Sequence, residues 1–274
     1  MKLTQKIGFI GGGRMAEALI RGILDAGLVD SRQILAVDPD QARRGFLRDQ
    51  FGVSVHDSGN FVWKECTIII LAVKPQVVGS LLESVKHGVN SSHLIISIAA
   101  GIPLAFMESR LSGTDCRIIR VMPNTPALVQ EGASAYSPGR GVTAEDLEST
   151  RMILDAVGKS VQMDEKHLDA VTGLSGSGPA YVFLFIEALI DAGVMVGLDR
   201  QAATMLVQQT VLGSVKLAME SNDHPAQLRA MVTSPGGTTI AGLHEMEKAG
   251  FTGTIMDAVQ AATRRSGELG GRRD

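Results

Sequence analysis

Near Met163 and Asp164 the chain changes its hydrophobic period, and that switch restricts the folds open to it. Before it, short apolar runs rich in β-branched residues, Ile7–Ile10, Ile34–Val37, Thr67–Val73, Leu94–Ile98 and Arg117–Met122, alternate with amphipathic stretches. Runs of that length read as strands, and their alternation with helical segments implies a parallel sheet with helices on both faces. Beyond Asp164 no such run recurs, and stretches of helical period begin at Lys166, Pro179, Arg200, Pro225, Thr238 and Thr252. The chain therefore reads as an α/β protein in two parts, with residues 1–163 an open α/β layer and residues 164–274 all helical. It has no low-complexity linker and no internal repeat.

The first strand runs straight into Gly11, Gly12 and Gly13 and then into an amphipathic helix. Gly11, Gly13 and Ala16 fit G-x-G-x-x-A, in which the first glycine allows a tight turn and the second lets a pyrophosphate approach the backbone. The small third residue brings helix and strand close. A glycine turn built only for packing has the same spelling. Here a strand precedes it, a helix follows, and Asp38 ends a second strand 25 residues after Gly13, which selects dinucleotide binding. Arg14 and Met15 follow the last glycine and belong to the same loop. Residues 1–163 are thus expected to be a Rossmann-type dinucleotide-binding domain. Asp38 would accept from a ribose diol and repel a 2′-phosphate, favouring NADH. Arg43 and Arg44, a helical turn further on, offer guanidinium groups to such a phosphate, so NADPH stays open.

Ligands of open α/β sheets bind at the carboxyl edge of the strands. Two segments that should lie there are LAVKPQ, with Val73, Lys74 and Pro75, and SIAAGI, with Ala100. Either they flank the nicotinamide half of a cofactor or they are ordinary strand-to-helix turns. In RVMPNTPALV two prolines bracket Asn124 and Thr125, which fixes an extended polar turn expected near the nicotinamide. In the second half, TSPGGTTIAGLHE gathers Ser, Pro, two Gly and two Thr where a helical period begins. The Ser234 hydroxyl and the N–H groups of Gly237 and Thr238 are expected to hold a small anion there, helped by the helix dipole. The rival reading is a plain helix cap by Ser234 or Thr238.

With 274 residues, 45% hydrophobic and 20% charged, the chain suits a soluble globular protein with real cores. A formal net charge of −3 lacks the clustered Lys/Arg excess that a nucleic acid or an anionic membrane requires. The basic cluster Arg264, Arg265, Arg272 and Arg273 reads as a solvated helix end and terminus. The longest apolar run, Pro179–Leu198, carries Glu187 and Asp191 and reads as a buried helix of a soluble core rather than a membrane span. Cys66 and Cys116 lack pairing or metal spacing and read as reduced, buried thiols of a cytoplasmic protein. KIGFI passes directly into the glycine turn, so this segment reads as a strand and not a signal peptide. His167, His224 and His244 show no ligand spacing, and no metal is expected.

IGFIGGGRMAEAL, AVKPQ, SIAAGI, RVMPNTPALVQEGASA, VTGLSGSGPAYVF and SPGGTTIAGLHEME, in that order over nearly the whole chain, resemble the pyrroline-5-carboxylate reductases of proline biosynthesis. The combination of PNTP, SGSGPAY and SPGGTT is the specific part. Arg14 departs from the family, which usually carries Asn at that place in the pyrophosphate loop. The resemblance implies reduction of the cyclic imine of L-1-pyrroline-5-carboxylate to L-proline by hydride from NADH or NADPH. Read physically beside that reaction, Ser234, Gly237 and Thr238 can supply the anion capture that the ring carboxylate needs; the resemblance implies that Thr239 hydrogen-bonds the imine nitrogen and relays a proton. A threonine hydroxyl is a poor acid, but an imine is basic enough to take its proton from water. The resemblance also implies a homodimer interlocked through the helical domain, a contact that the apolar Tyr181–Val196 helix suits, with higher homo-oligomers left open.

Two other readings are carried. A hydroxyacid dehydrogenase of the same two-domain build would need a lysine on the long helix, and no Lys occurs between Lys166 and Lys216. A regulatory protein that kept the fold but lost turnover would have no need of SPGGTT.

Overall fold

The structure, a computed structural model, describes residues 2–271. Eight strands form one sheet: β1 (Ile7–Ile10), β2 (Ile34–Val37), β3 (Ser54–His56), β4 (Ile68–Leu71), β5 (Leu94–Ser97), β6 (Arg117–Met122), β7 (Gly132–Pro138) and β8 (Gly158–Gln162). Their order is β3-β2-β1-β4-β5-β6-β7-β8. β1 to β6 are mutually parallel, β7 is antiparallel to β6, and β8 is parallel to β7.

All five expected strands are present, with the runs at Thr67–Val73 and Leu94–Ile98 trimmed at their ends. β3, β7 and β8 were not legible. β3 has three residues and β8 (GKSVQ) is mostly polar, and both lie at edges of the sheet where no continuous apolar run is required. β7 (GASAYSP) is built of small and polar residues that lack the β-branched signature of a strand.

The sheet is covered on both faces, which is why β1, β2, β4 and β5 are buried at every position. Successive side chains alternate between two cores. Ile7 and Phe9 meet Leu19, Ile20 and Ile23 of α1 (Arg14–Asp25) and Ile153 and Leu154 of α6 (Ala144–Asp155). Ile10, Ile69, Leu71 and Ile95 face the opposite core, with Val62 and Trp63 of α3 (Asn60–Glu65), Val78 and Leu82 of α4 (Pro75–Val85) and Met107 of α5 (Leu104–Arg110). Each such side chain taken fully out of water contributes on the order of 1.5–3 kcal/mol. The helix α2 (Gln41–Phe51) closes the first core through Leu47.

The chain divides into two compact units, one of Met1–Ser177 with the chain from Ala261 onward, the other of Gly178–Gln260. The first unit therefore continues past the change of period at residues 163 and 164. The physical reason lies in α7 (Leu168–Val171), a helical turn whose Leu168 is fully buried. On α12 (Phe251–Gly271), Ser266 donates to Asp169 Oδ1 at 2.7 Å, which ties the last turns of that helix to α7.

The second unit holds α8 (Gly178–Met195), α9 (Arg200–Ser221), α10 (Pro225–Met231), α11 (Thr238–Lys248) and the first part of α12. α8 does start at the expected place, with Pro179 in its first turn. Its reading as a core helix is corrected: Phe183 is 64% exposed, Leu184 67% and Met195 81%. A helix apolar all round needs cover on every side; α9 approaches it where Ala203 meets Gly193 and α12 where Phe251 meets Phe185, and the side chains just named stay open. By length and composition the run Glu165–Met195, 31 residues of mean hydropathy 1.5, is also long and apolar enough to cross a membrane, with none of its apolar window buried in the single chain. Asp191 on this helix pairs with Arg200 at 2.9 Å. Arg264 and Arg265 lie on α12, whereas Arg272 and Arg273 fall outside the described residues.

Cys66 is buried and Cys116, read as buried, is only half-buried because it sits just outside β6; both are free. Burial pushes the Cys66 thiol up to about 12. Disulfide exchange requires the thiolate. Ellman's reagent at pH 8 should therefore leave Cys66 unmodified in the native protein and react with it on unfolding; prompt labelling of native Cys66 would contradict this packing.

Candidate functional site

Parallel pairing sets the carboxyl ends of β2, β1, β4, β5 and β6 along one edge of the sheet. That edge carries Asp38, the glycine turn Gly11–Gly13, Val73–Pro75, Ala100 and Asn124. From β1 the chain turns first toward β2 and β3 and then crosses to β4 on the other side, which makes this the switch point where such sheets open a ligand crevice. Backbone bonds lock the turn in place: Gly11 N–H donates to Val37 O, and Ala72 N–H to Ile10 O, both at 2.8 Å. Gly11 has φ +101°, and a Cβ there would overlap the Ala72 carbonyl oxygen, so only glycine fits.

Gly13 has a different role. It is the N-cap of α1, with φ −67° and no side-chain cap, and a Cβ on it would meet nothing within 4 Å. The first turn of α1 thus presents uncapped N–H groups to open space, as a pyrophosphate requires. Arg14 is exposed beside that space, whereas the Met15 side chain packs on the core and leaves only its backbone to the loop.

Asp38 is anchored at both oxygens. Oδ2 accepts from Gly12 N–H at 2.7 Å and Oδ1 from Asp40 N–H at 2.8 Å, so the carboxylate is held beside the glycine turn. Arg43 and Arg44 are already engaged. Arg43 donates to Gly12 O at 2.8 Å and pairs with Glu17 at 3.0 Å, while Arg44 donates to the carbonyls of Asp38 and Pro39 at 2.8 Å. Sequence reasoning missed Gly12 and Glu17. Glu17 stands one turn into the helix that faces the anion space, and its charge there calls for a cation partner, which was the available signal.

Val73 lies against the glycine turn, Lys74 is the exposed N-cap of α4, Pro75 takes the first position of that helix, and Ala100 is exposed at the end of β5's loop. Asn124 is half-buried with both ends of its amide engaged. Oδ1 accepts from Ala133 N–H at 2.8 Å, and Nδ2 donates to Ser175 O at 3.1 Å. Its neighbour Thr125 is exposed. Among the described residues no group of three or more His, Cys, Asp or Glu is arranged to hold a metal ion.

In the second unit, α11 begins at Thr238 with Gly237 as its N-cap and no side-chain cap. Neither Ser234 nor Thr238 caps the helix, so the rival reading of that segment is not what the structure adopts. Gly237 N–H closes the turn onto Ser234 O at 3.1 Å, and the Ser234 hydroxyl lies so close to Gly237 that a Cβ there would overlap it. Ser234 and Thr238 are exposed, and Gly237 and Thr239 half-buried. A helix start with free N–H groups and three adjacent hydroxyls can bind a carboxylate.

Residues 165–269 match the family model described as pyrroline-5-carboxylate reductase dimerisation, and residues 6–101 that of NADP oxidoreductase coenzyme F420-dependent. The chain is 48% identical to a pyrroline-5-carboxylate reductase of Methanosarcina acetivorans, over 97% of this chain and 98% of that one. It is also 48% identical to the reductase of Arabidopsis thaliana, over 96% and 95%. The chain belongs to the pyrroline-5-carboxylate reductase family. Of solved structures, the Plasmodium falciparum reductase with NADP bound matches with TM-score 0.89 and 37% identity, over 99% of this chain and 100% of that one. The Coxiella burnetii reductase matches with TM-score 0.92 and 34% identity, over 97% and 99%. A prephenate dehydrogenase of A. aeolicus at 12% identity and TM-score 0.56 shares the fold alone.

The two outer glycines of the turn separate fold from binding. Gly11→Ala should lower the melting temperature by several degrees, about 4 °C or more, through its positive φ and the Ala72 clash. Gly13→Ala should leave melting nearly unchanged while weakening NADH binding roughly tenfold. Equal effects in calorimetry and titration would overturn the assignment of the pyrophosphate site.

Proposed function

We propose that this chain reduces the C=N bond of L-1-pyrroline-5-carboxylate to give L-proline, with NADH preferred over NADPH. The observation that carries the substrate is the uncapped start of α11 behind Ser234, in a chain of this family. Family membership and the crevice at the sheet edge support the redox partner.

Gly11, Gly13, Arg14 and Met15 would hold the pyrophosphate through the turn and the first N–H groups of α1. Asp38 would receive the adenosine ribose, and Val73, Lys74, Pro75 and Ala100 would flank the nicotinamide half. The bound cofactor supplies a hydride for the ring carbon of the C=N bond. The ring nitrogen gains a proton, from water or through the Thr239 hydroxyl, so that both ends of the bond are balanced. Ser234 and the N–H groups of Gly237 and Thr238 would fix the ring carboxylate, and catalysis would rest mainly on the alignment that this provides. The preference for NADH rests on Asp38, whose charge is held in place, and on Arg43, which Glu17 and Gly12 already occupy.

Functionally, residues 1–163 serve the cofactor and residues 164–274 serve substrate and assembly. The exposed apolar faces of α8 and α9 are read as the contact of a homodimer through the helical domain, on which higher assemblies can build. Glu187 and the Asp191–Arg200 pair are costly in lipid, which favours a protein partner over a membrane. The net charge of −3 fits no nucleic-acid surface, and two free thiols suit a reducing cytoplasm.

Proline formation from pyrroline-5-carboxylate tests the substrate site. Ser234→Ala should raise the KM for the imine about tenfold, and Thr239→Val should lower kcat about tenfold, with NADH affinity retained in both. If both variants form proline at the native rate, the site is misplaced. Asp38→Ala should shift the ratio of kcat/KM for NADPH over NADH upward by at least about tenfold; an unchanged ratio would remove Asp38 from cofactor selection.

A further inference from the structure

Asn124 stands at the carboxyl edge of β6, and both ends of its amide are engaged by backbone groups of the chain. Its oxygen accepts from Ala133 N–H and its nitrogen donates to Ser175 O, at 2.8 and 3.1 Å. The acceptor explains the arrangement. In a continuous helix the carbonyl of Ser175 would take the N–H of the fourth residue on, and that residue is Pro179, which has none. The backbone responds locally. Residues Thr172–Gly176 form a turn of π-helix, closed by Ser177 N–H onto Thr172 O at 2.8 Å, and α8 starts afresh at Gly178. A carbonyl left without a donor at such a break is costly unless a side chain supplies one.

A second contact seats the same turn. A Cβ on Gly176 would come within 2.5 Å of Met122 Cε, so the end of β6 and the π turn are pressed together just where the amide bridges them. Single π turns of this kind recur at functional sites.

We propose that Asn124 is a positioning residue, which replaces the N–H that Pro179 denies to Ser175 and so latches the π turn of Thr172–Gly176 to the end of β6. Its contribution to turnover runs through the placement of that turn at the sheet edge, and nucleotide affinity does not depend on it. The kinetic arm of the test rests on the reductase reading; the melting arm stands whatever the substrate is.

The experiment is a double-mutant cycle on the full chain. Asn124→Asp keeps the acceptor for Ala133 and removes the donor to Ser175, and Pro179→Ala gives residue 179 an N–H that Ser175 can accept. Asn124→Asp alone should lower the melting temperature by about 2–4 °C. It should lower kcat/KM for pyrroline-5-carboxylate about tenfold, with the Kd of NADH within about twofold. In the Pro179→Ala background both losses should shrink to less than about half. Asn124→Ser, which removes the donor without adding charge, runs through the same cycle. If either Asn124 variant folds only when combined with Pro179→Ala, that rescue is the same result read as yield. Equal losses in both backgrounds, no folded protein in either, or an NADH Kd that rises in step with the kinetic loss would overturn the latch.

Discussion

The cofactor side of the molecule depends on a turn that no residue with a side chain can make. Gly11 leaves β1 at φ +101° with its Cα against the carbonyl of Ala72, so three strand ends, those of β2, β1 and β4, close on one point. That geometry brings Gly12 N–H onto Asp38 and leaves Gly13 facing open space at the start of α1. One backbone conformation thus fixes the switch point of the sheet, the uncapped start of α1 and the position of the Asp38 carboxylate. Arg43 then closes the arrangement from α2 by joining the glycine turn to Glu17.

The second unit obeys the opposite economy. Its helices are apolar on faces that the single chain leaves open, Phe183 and Leu184 among them, and the family to which it belongs is defined there by a dimerisation domain. A soluble monomer rarely tolerates a large exposed patch of this kind. The same apolar composition suits a core helix and an interface alike, because both must be buried and the sequence does not say by what.

That ambiguity is one of the places where sequence reasoning ran out. Strands β1, β2, β4, β5 and β6 were legible because burial on both faces demands continuous apolar runs, and α1 was legible from its glycine turn. β7 and β8 were hidden because pairing at the far side of the sheet is met by small residues in GASAYSP and mostly polar ones in GKSVQ, which carry little strand signal. That Gly11, Gly13 and Asp38 meet at one edge of the sheet was readable, because the spacing follows from the turn itself. The engagement of Asn124 with Ala133 and Ser175 was not, since it joins segments 9 and 51 residues away along the chain. Pro179 was the one local clue, as a helix residue without an N–H implies a carbonyl that something else must satisfy.

In the proposed reaction a hydride crosses to the ring carbon of a cyclic imine. Its most direct test is to incubate the protein with DL-pyrroline-5-carboxylate and NADH carrying deuterium at the transferable C4 position, and to analyse the proline by mass spectrometry and NMR. Deuterium is expected at C5 of L-proline, the carbon doubly bonded to nitrogen in the imine, with no transfer of label when a 2-oxo acid replaces the imine. Binding of NADH without any labelled proline would contradict it and return the chain to a regulatory reading.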